Sequence, residues 1–101
     1  MLALMKWIFS PKVRARVIVP TVVAPQNLLI LQEMARHRKV MGCMEYIPSR
    51  QVEFDLEAPK VAIEALMGDI VEAPFIPAGA RALQVNWLPY EGRYHTFRVA
   101  L

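Results

Sequence analysis

The chain has 101 residues, with twelve Lys or Arg, nine Asp or Glu, a single cysteine and a hydrophobic share of 55%. This length suits one domain with one core, and the lone cysteine excludes an internal disulfide and fits a reducing compartment. Because the hydrophobic share exceeds what so small a domain readily buries, we expect part of the surface to face a partner.

Positive charge is concentrated in the first half of the chain. Residues 1–50 carry a net charge of +6, whereas residues 51–101 carry −3. This asymmetry predicts one surface that faces a polyanion and another that is neutral or acidic.

The first segment, residues 1–10, is predicted to be an apolar and basic arm, followed by a single α+β domain over residues 11–101. Its stretch MLALMKWIF is interrupted by Lys6 and is too short to span a membrane. Because the first 32 residues hold four basic residues and no acid, the composition is typical of an organellar targeting segment. An ordered N-terminus packed on a neighbouring protein is the alternative.

Two elements are predicted in the first half of the chain. Residues 12–23 alternate in character and are rich in β-branched side chains, which indicates a strand that bends near Pro20. A helix can begin at Pro25, and the cations at residues 36–39 together with Gly42 can terminate it.

The second half predicts three strands and a helix. Residues 51–57 give the clearest strand pattern, with apolar side chains on a core face and acids on a solvated face. A short helix begins at Pro59, and residues 82–88 and 94–101 are expected to pair as a hairpin. The predicted fold class is therefore α+β, with a small, mostly antiparallel four-stranded sheet and two helices in the order strand-helix-strand-helix-strand-strand.

The residues that could support catalysis have structural explanations. We interpret His37 as a surface helix residue, His95 as a core or interface residue on the apolar face of the last strand, and Cys43 as a buried structural cysteine. The acids of residues 51–57 are assigned to a solvated face rather than to a divalent metal. No phosphate loop, metal signature or nucleophile elbow is present. We therefore expect no enzyme, no metal and no cofactor; an enzyme would have to depend on one of the three residues named.

Alternating cations on the first predicted strand suggest a nucleic acid-binding surface. Residues on one strand face repeat every ~6.6–7 Å, comparable to the spacing of phosphates along a nucleic-acid strand. The predicted RNA-binding set joins these cations to those at the end of the first helix: Lys12, Arg14, Arg16, Arg36, Arg38 and Lys39. A solvated basic face is the alternative.

Three stretches resemble the universal large-subunit ribosomal protein twenty-three family, whose members lie at the exit of the peptide tunnel. Residues 17–23 (VIVPTVV) are similar to its opening segment, residues 52–68 to its strand, turn and helix, and residues 93–101 (RYHTFRVAL) to its closing aromatic and basic strand. The resemblance implies a divergent organellar member, a structural constituent of the large ribosomal subunit in the mitochondrial matrix. Its implied partners are ribosomal RNA and neighbouring ribosomal proteins, close to the inner membrane, with no small-molecule substrate and with largely electrostatic binding.

A second hypothesis is an accessory structural subunit of a mitochondrial inner-membrane respiratory or ATP synthase complex. It would account for the hydrophobic composition and for the first segment, whose Lys6 and Trp7 could lie at a membrane interface. Such a subunit should need detergent for its extraction and be unaffected by ribonuclease, whereas a ribosomal protein should follow the ribosomal RNA.

Overall fold

In the computed structural model, a five-stranded sheet carries two helices on one face, and the structure describes residues 10–100. The elements are β1 (Lys12–Val19), α1 (Pro25–His37), β2 (Met41–Tyr46), β3 (Val52–Pro59), α2 (Lys60–Val71), a short 3-10 helix (Ala78–Ala80), β4 (Gln84–Pro89) and β5 (Phe97–Ala100). The predicted arm at residues 1–10 lies almost wholly outside the described residues.

The core lies between the helices and one face of the sheet. Alternate side chains of each inner strand point to this face, as strand geometry requires, and Val17 of β1 and Phe54 of β3 are fully buried there. The helices contribute Leu28, Leu31 and Ala35 from α1 and Ile63, Leu66 and Ile70 from α2. Burial of each large apolar side chain stabilises the fold by about 1.5–3 kcal/mol. Within residues 10–100, neither helix combines the length and the hydrophobicity needed to cross a membrane.

The predicted sheet is wrong in strand number and in pairing. The strand order is β4-β1-β3-β2-β5, with β3 antiparallel to both of its neighbours and β5 parallel to β2, so the sheet is mixed. The strand missed by the sequence analysis is β2, which occupies a stretch predicted to hold only the end of a helix and a connection. Its Met44 and Gly42 are buried, but the pattern MGCMEY mixes small, apolar and charged residues and gives a weak strand signal.

The predicted hairpin between residues 82–88 and 94–101 does not exist. Instead, β4 lies at one edge of the sheet beside β1, and β5 lies at the opposite edge beside β2. This placement buries Phe97 next to Phe54, with ring centroids 6.1 Å apart. Packing of this aromatic side chain in the core therefore outweighs the tendency of consecutive strands to pair.

The acidic face of β3 is less solvated than predicted. Glu57 is only 1% exposed and Asp55 9%, because the connection from β4 to β5 crosses this face of the sheet. The strand itself lies where its alternation predicts it. The alternation gives no information about the later segment that covers the polar side of β3.

Gly42 lies at a close approach between the backbones of β2 and β3. Its φ is +147°, and a Cβ placed there would meet the carbonyl oxygen of Asp55 at 2.0 Å. By contrast, a Cβ on Gly68 in α2 would meet nothing within 4 Å.

We expect Gly42→Ala to lower the free energy of unfolding by about 3 kcal/mol or more, because strain and a backbone clash act together. The matched control, Gly68→Ala, should raise the free energy of unfolding by about 0.5–1 kcal/mol, since alanine favours a helix interior. Urea denaturation measures both variants, and a Gly42→Ala protein as stable as the wild type would contradict the described packing.

Candidate functional site

A groove of about 620 Å³ lies where the loop after β1 meets the turn between β2 and β3. The residues lining it are Val22, Val23, Ala24, Pro25, Tyr46 and Arg50. Arg50 is the one charged group among them, and most of the wall is apolar. This combination suits a ligand with an anionic end and an apolar body, and the volume lies in the range of small-molecule sites.

The loop between β1 and α1 carries unpaired hydrogen-bond donors. The amides of Val22, Ala24 and Gln26 donate no hydrogen bond to any residue between 10 and 100. The first turn of α1, which begins at Pro25, also has no side-chain cap. Free amides and the positive end of a helix dipole both favour a bound anion. This wall of the groove can therefore accept a phosphate or a carboxylate.

Two contacts hold this loop against the β2–β3 hairpin. The hydroxyl of Tyr46 donates a hydrogen bond of 2.5 Å to the carbonyl oxygen of Val23, and the amide of Val23 donates to the carbonyl oxygen of Arg50 at 3.4 Å. The Val23 side chain is buried in the core. The free amides on either side of Val23 are thus carried by a fixed segment.

The turn between β2 and β3 places Arg50 at the rim of the groove. The amide of Arg50 donates to the carbonyl oxygen of Ile47 at 2.9 Å, and the amide of Ile47 donates to the carbonyl oxygen of Gln51 at 3.0 Å. Arg50 has a φ of 62°, in the left-handed region. Its side chain is exposed and forms no ion pair with any described residue.

A second polar cluster lies on the open face of the sheet, beside a cavity of about 330 Å³. Arg14 donates two hydrogen bonds of 2.8 Å to the carboxylate of Asp55, and the hydroxyl of Tyr94 donates a third at 2.9 Å. Burial alone would raise the pKa of Asp55, but the hydrogen bonds from Arg14 and Tyr94 outweigh it, so this pKa is lowered. Burial, together with the neighbouring Cys43 and Asp55, raises the pKa of the Tyr94 hydroxyl.

This cluster is satisfied by its own members. Besides the pair of Arg14 and Asp55, Arg16 is paired with Glu53 at 2.9 Å, and Arg93 lies 3.6 Å from Asp55. No described buried side-chain nitrogen or oxygen lacks a hydrogen-bond partner. These contacts attach the β4–β5 connection to the sheet. This structural role is sufficient to explain the arrangement without a ligand.

The structure divides the predicted RNA-binding set between two places. Lys12, Arg14 and Arg16 lie on the open face of β1, and Arg36, Arg38 and Lys39 lie at the C-terminal end of α1, which packs on the other face. Most of these cations contact protein groups: Lys12 the ring of Tyr90, Arg14 Asp55, Arg16 Glu53, Arg36 the carbonyl oxygen of Phe97, and Arg38 Asp69. The assignment of these six residues to one binding surface is untested.

The three residues considered for catalysis do not meet. His37 is exposed at the end of α1, and Cys43 is half-buried on β2 with its Sγ 3.5 Å from the hydroxyl oxygen of Tyr94. His95 is exposed and precedes β5, so its predicted place on the apolar face of the last strand is wrong. Within residues 10–100, no cluster of three or more His, Cys, Asp or Glu side chains could hold a metal ion.

Tyr46 and Arg50 were missed by the sequence analysis, because residues 36–50 were not resolved into a strand and a turn. A usable signal was present. Pro48 and Ser49 are typical turn residues, and they stand between MGCMEY and VEFDLE. A hairpin at this point would have placed both missed residues at one end of the sheet.

Comparison with solved structures identifies the fold. The acylphosphatase from Bacillus subtilis is similar with a TM-score of 0.76 and 21% identity, over 88% of this chain and 99% of that chain. The acylphosphatase from Coxiella burnetii gives 0.67 and 20%, over 88% and 93%. Full-length HypF, in its phosphate- and nucleotide-bound form, gives 0.69 and 16% over 89% of this chain and 12% of that chain. No protein-family profile matches the sequence, and no curated protein matches it. At these identities the similarity establishes a shared fold.

This finding corrects the functional expectations. The chain does not resemble the ribosomal protein twenty-three family in structure, and the ribosomal function, its RNA and protein partners and the respiratory alternative are withdrawn. The resemblance was misleading because its three stretches are short and compatible with many α+β domains. The expectation that the chain is not an enzyme is withdrawn too, because the two neighbours of matching length are both acylphosphatases. Mitochondrial location is untested and stays a prediction.

The pair of Arg14 and Asp55 makes stability depend on pH in a defined direction. Because the pKa of Asp55 is lower in the folded chain, its ionised form stabilises the fold above the unfolded-state pKa of about 3.9. This contribution is lost as the pH falls from there through the folded-state pKa. We expect Asp55→Asn to lower the free energy of unfolding by about 2 kcal/mol at neutral pH, and by progressively less below about pH 4.

Urea denaturation of the wild type and Asp55→Asn at pH 7 and at pH 3 measures this difference. The control is Glu45→Gln, which neutralises an exposed carboxylate on the neighbouring strand and should change stability by less than about 0.5 kcal/mol. An equal loss for Asp55→Asn at both pH values would show that the ionised carboxylate is not the stabilising species.

Proposed function

We propose that this chain binds small acyl phosphates in the groove and hydrolyses them to a carboxylate and inorganic phosphate. The observation that carries the proposal is the set of unpaired amides at Val22, Ala24 and Gln26, beside the charged side chain of Arg50 in an otherwise apolar groove. The fold shared with two acylphosphatases over nearly their whole length supports it.

The reaction suits a site of this kind. Water attacks phosphorus, the bond between phosphorus and the acyl carboxyl oxygen breaks, and the electron pair of that bond leaves with the carboxylate. The attacking oxygen stays on the phosphate with one of its protons, and its other proton passes to solvent. Because a carboxylate is a good leaving group at neutral pH, it needs no general acid, and the protein has to position the phosphoryl group and stabilise its charge.

The groove offers the groups that such a reaction needs and few others. Loop amides and Arg50 can donate hydrogen bonds to phosphoryl oxygens, and charge-assisted bonds from a guanidinium are about twice as strong as neutral ones. The apolar side of the groove, formed by Val22 and Pro25, can contact the acyl group. None of the groove-lining residues between positions 10 and 100 is a carboxylate or an imidazole, so catalysis by these residues is electrostatic and positional rather than acid–base.

Ala24→Pro tests the role of a loop amide without removing a side-chain contact. Ala24 has a φ of −68° and a ψ of 146°, which proline can adopt, and its amide donates no hydrogen bond within residues 10–100. We expect the variant to fold with a Tm within a few degrees of the wild type and to lose about tenfold in kcat/KM for benzoyl phosphate, because one donor to the phosphoryl group is gone.

Phosphorus NMR follows hydrolysis of benzoyl phosphate, and inorganic phosphate should inhibit as a competitor. Backbone amide shifts of Val22, Val23, Ala24 and Gln26 during phosphate titration report binding directly. Hydrolysis no faster with the protein than in buffer would refute the enzymatic proposal. A folded Ala24→Pro protein with full activity would remove the loop amides from the site.

A further inference from the structure

The backbone of Arg50 has a conformation that favours glycine. The turn at residues 47–51 has a three-residue form in which the last loop residue lies in the left-handed region, and glycine is the usual occupant because it has no Cβ to clash. Arginine here destabilises the turn relative to glycine. No hydrogen bond within residues 10–100 involves its side chain, so nothing in the described fold compensates.

Five of the seven other arginines behave differently. Arg14, Arg16, Arg36, Arg38 and Arg93 each form an ion pair with a carboxylate. Arg50 has no such pair among the described residues and lines the groove beside the free loop amides. The exposed Arg81 and Arg98 also have no ion pair with a described residue, but they do not line the groove and their φ angles are not positive. A left-handed residue whose side chain forms no hydrogen bond or ion pair with the described residues is a candidate for a role outside the fold.

Lys39 is the one other described non-glycine residue with a positive φ, at 57°, and it has a different explanation. It follows the end of α1, where a left-handed residue ends many helices and a cation favours the negative end of the helix dipole. Its side chain is exposed and does not line the groove. Lys39 therefore matches Arg50 in backbone conformation and in charge, and differs from it in position.

We propose that the side chain of Arg50 serves the groove rather than the fold: its guanidinium binds the phosphoryl group, and the left-handed turn presents this charge beside the free amides of Val22 and Ala24. The inference rests on the proposed function, since it assigns a residue to that same site. It predicts that stability and binding respond to one substitution in opposite directions.

The experiment compares Arg50→Gly with Lys39→Gly. Each variant removes one positive charge and relieves a left-handed backbone. Tm is measured by circular dichroism, the Kd for inorganic phosphate by titration, and KM and kcat for benzoyl phosphate by phosphorus NMR. We expect both variants to have a Tm equal to that of the wild type or higher by up to about 4 °C. Arg50→Gly alone should raise the Kd for phosphate and the KM at least tenfold.

The outcomes separate this inference from the function on which it rests. If the wild type neither binds phosphate nor hydrolyses benzoyl phosphate, the proposed function fails and this inference with it. If the wild type is active and Arg50→Gly binds phosphate equally well, only the assignment of Arg50 fails. A clear fall in Tm for Arg50→Gly would show a structural role for the side chain and would also overturn the inference. Equal losses of binding in both variants would indicate a general effect of net charge and would overturn it as well.

Discussion

The carboxylate of Glu57 is the contact on which the open side of the sheet depends. It is almost completely buried, and it accepts hydrogen bonds from three successive amides, those of Glu91 at 2.8 Å, Gly92 at 3.0 Å and Arg93 at 2.6 Å. A buried carboxylate is tolerated only when its oxygens are satisfied. Because Glu57 lies on the central strand, these bonds fix the long connection between the two edge strands near its middle. This anchor and the core packing of Phe97 together hold β5 at the far edge of the sheet.

The open face of the sheet and the end of the sheet near Val19 consequently differ in what they can bind. On the open face, charges are paired with one another and attach the β4–β5 connection to the sheet, so their contacts are internal. At the end of the sheet near Val19, by contrast, the loop into α1 leaves amides unpaired and the β2–β3 turn adds a cation. Tyr46 joins these two segments through its bond to Val23. The groove is thus formed by segments that are fixed in position and whose amides have no hydrogen-bond partner among the described residues. Amides held in this way favour the binding of an anion.

The sequence contained enough information for the local elements but little for their arrangement. The alternation of VEFDLE gives β3, and the prolines at positions 25 and 59 mark the starts of both helices. Pairing was not predictable in the same way, because β2, the parallel partner of β5, is distant from it in the chain and has a weak strand pattern. The burial of Glu57 was not predictable either, since alternation assigns a face to a residue but not what covers that face. The groove was missed because it depends on two segments that meet only in the folded chain.

The strand order also determines how the chain can fold. Among the described strands, β2 and β3 form the one pair that is joined by a short turn; β1 pairs with β3 and with β4, matching Val13 with Ala58 and with Pro89 across long stretches of sequence. Pairings between distant segments have a large loop-closure entropy and make folding slow. Closure of the β2–β3 turn is the local event that can precede them, and the left-handed Arg50 lies within that turn. Because glycine is the more favourable residue at this position, the first strand pairing has to begin from a turn that the sequence only weakly favours.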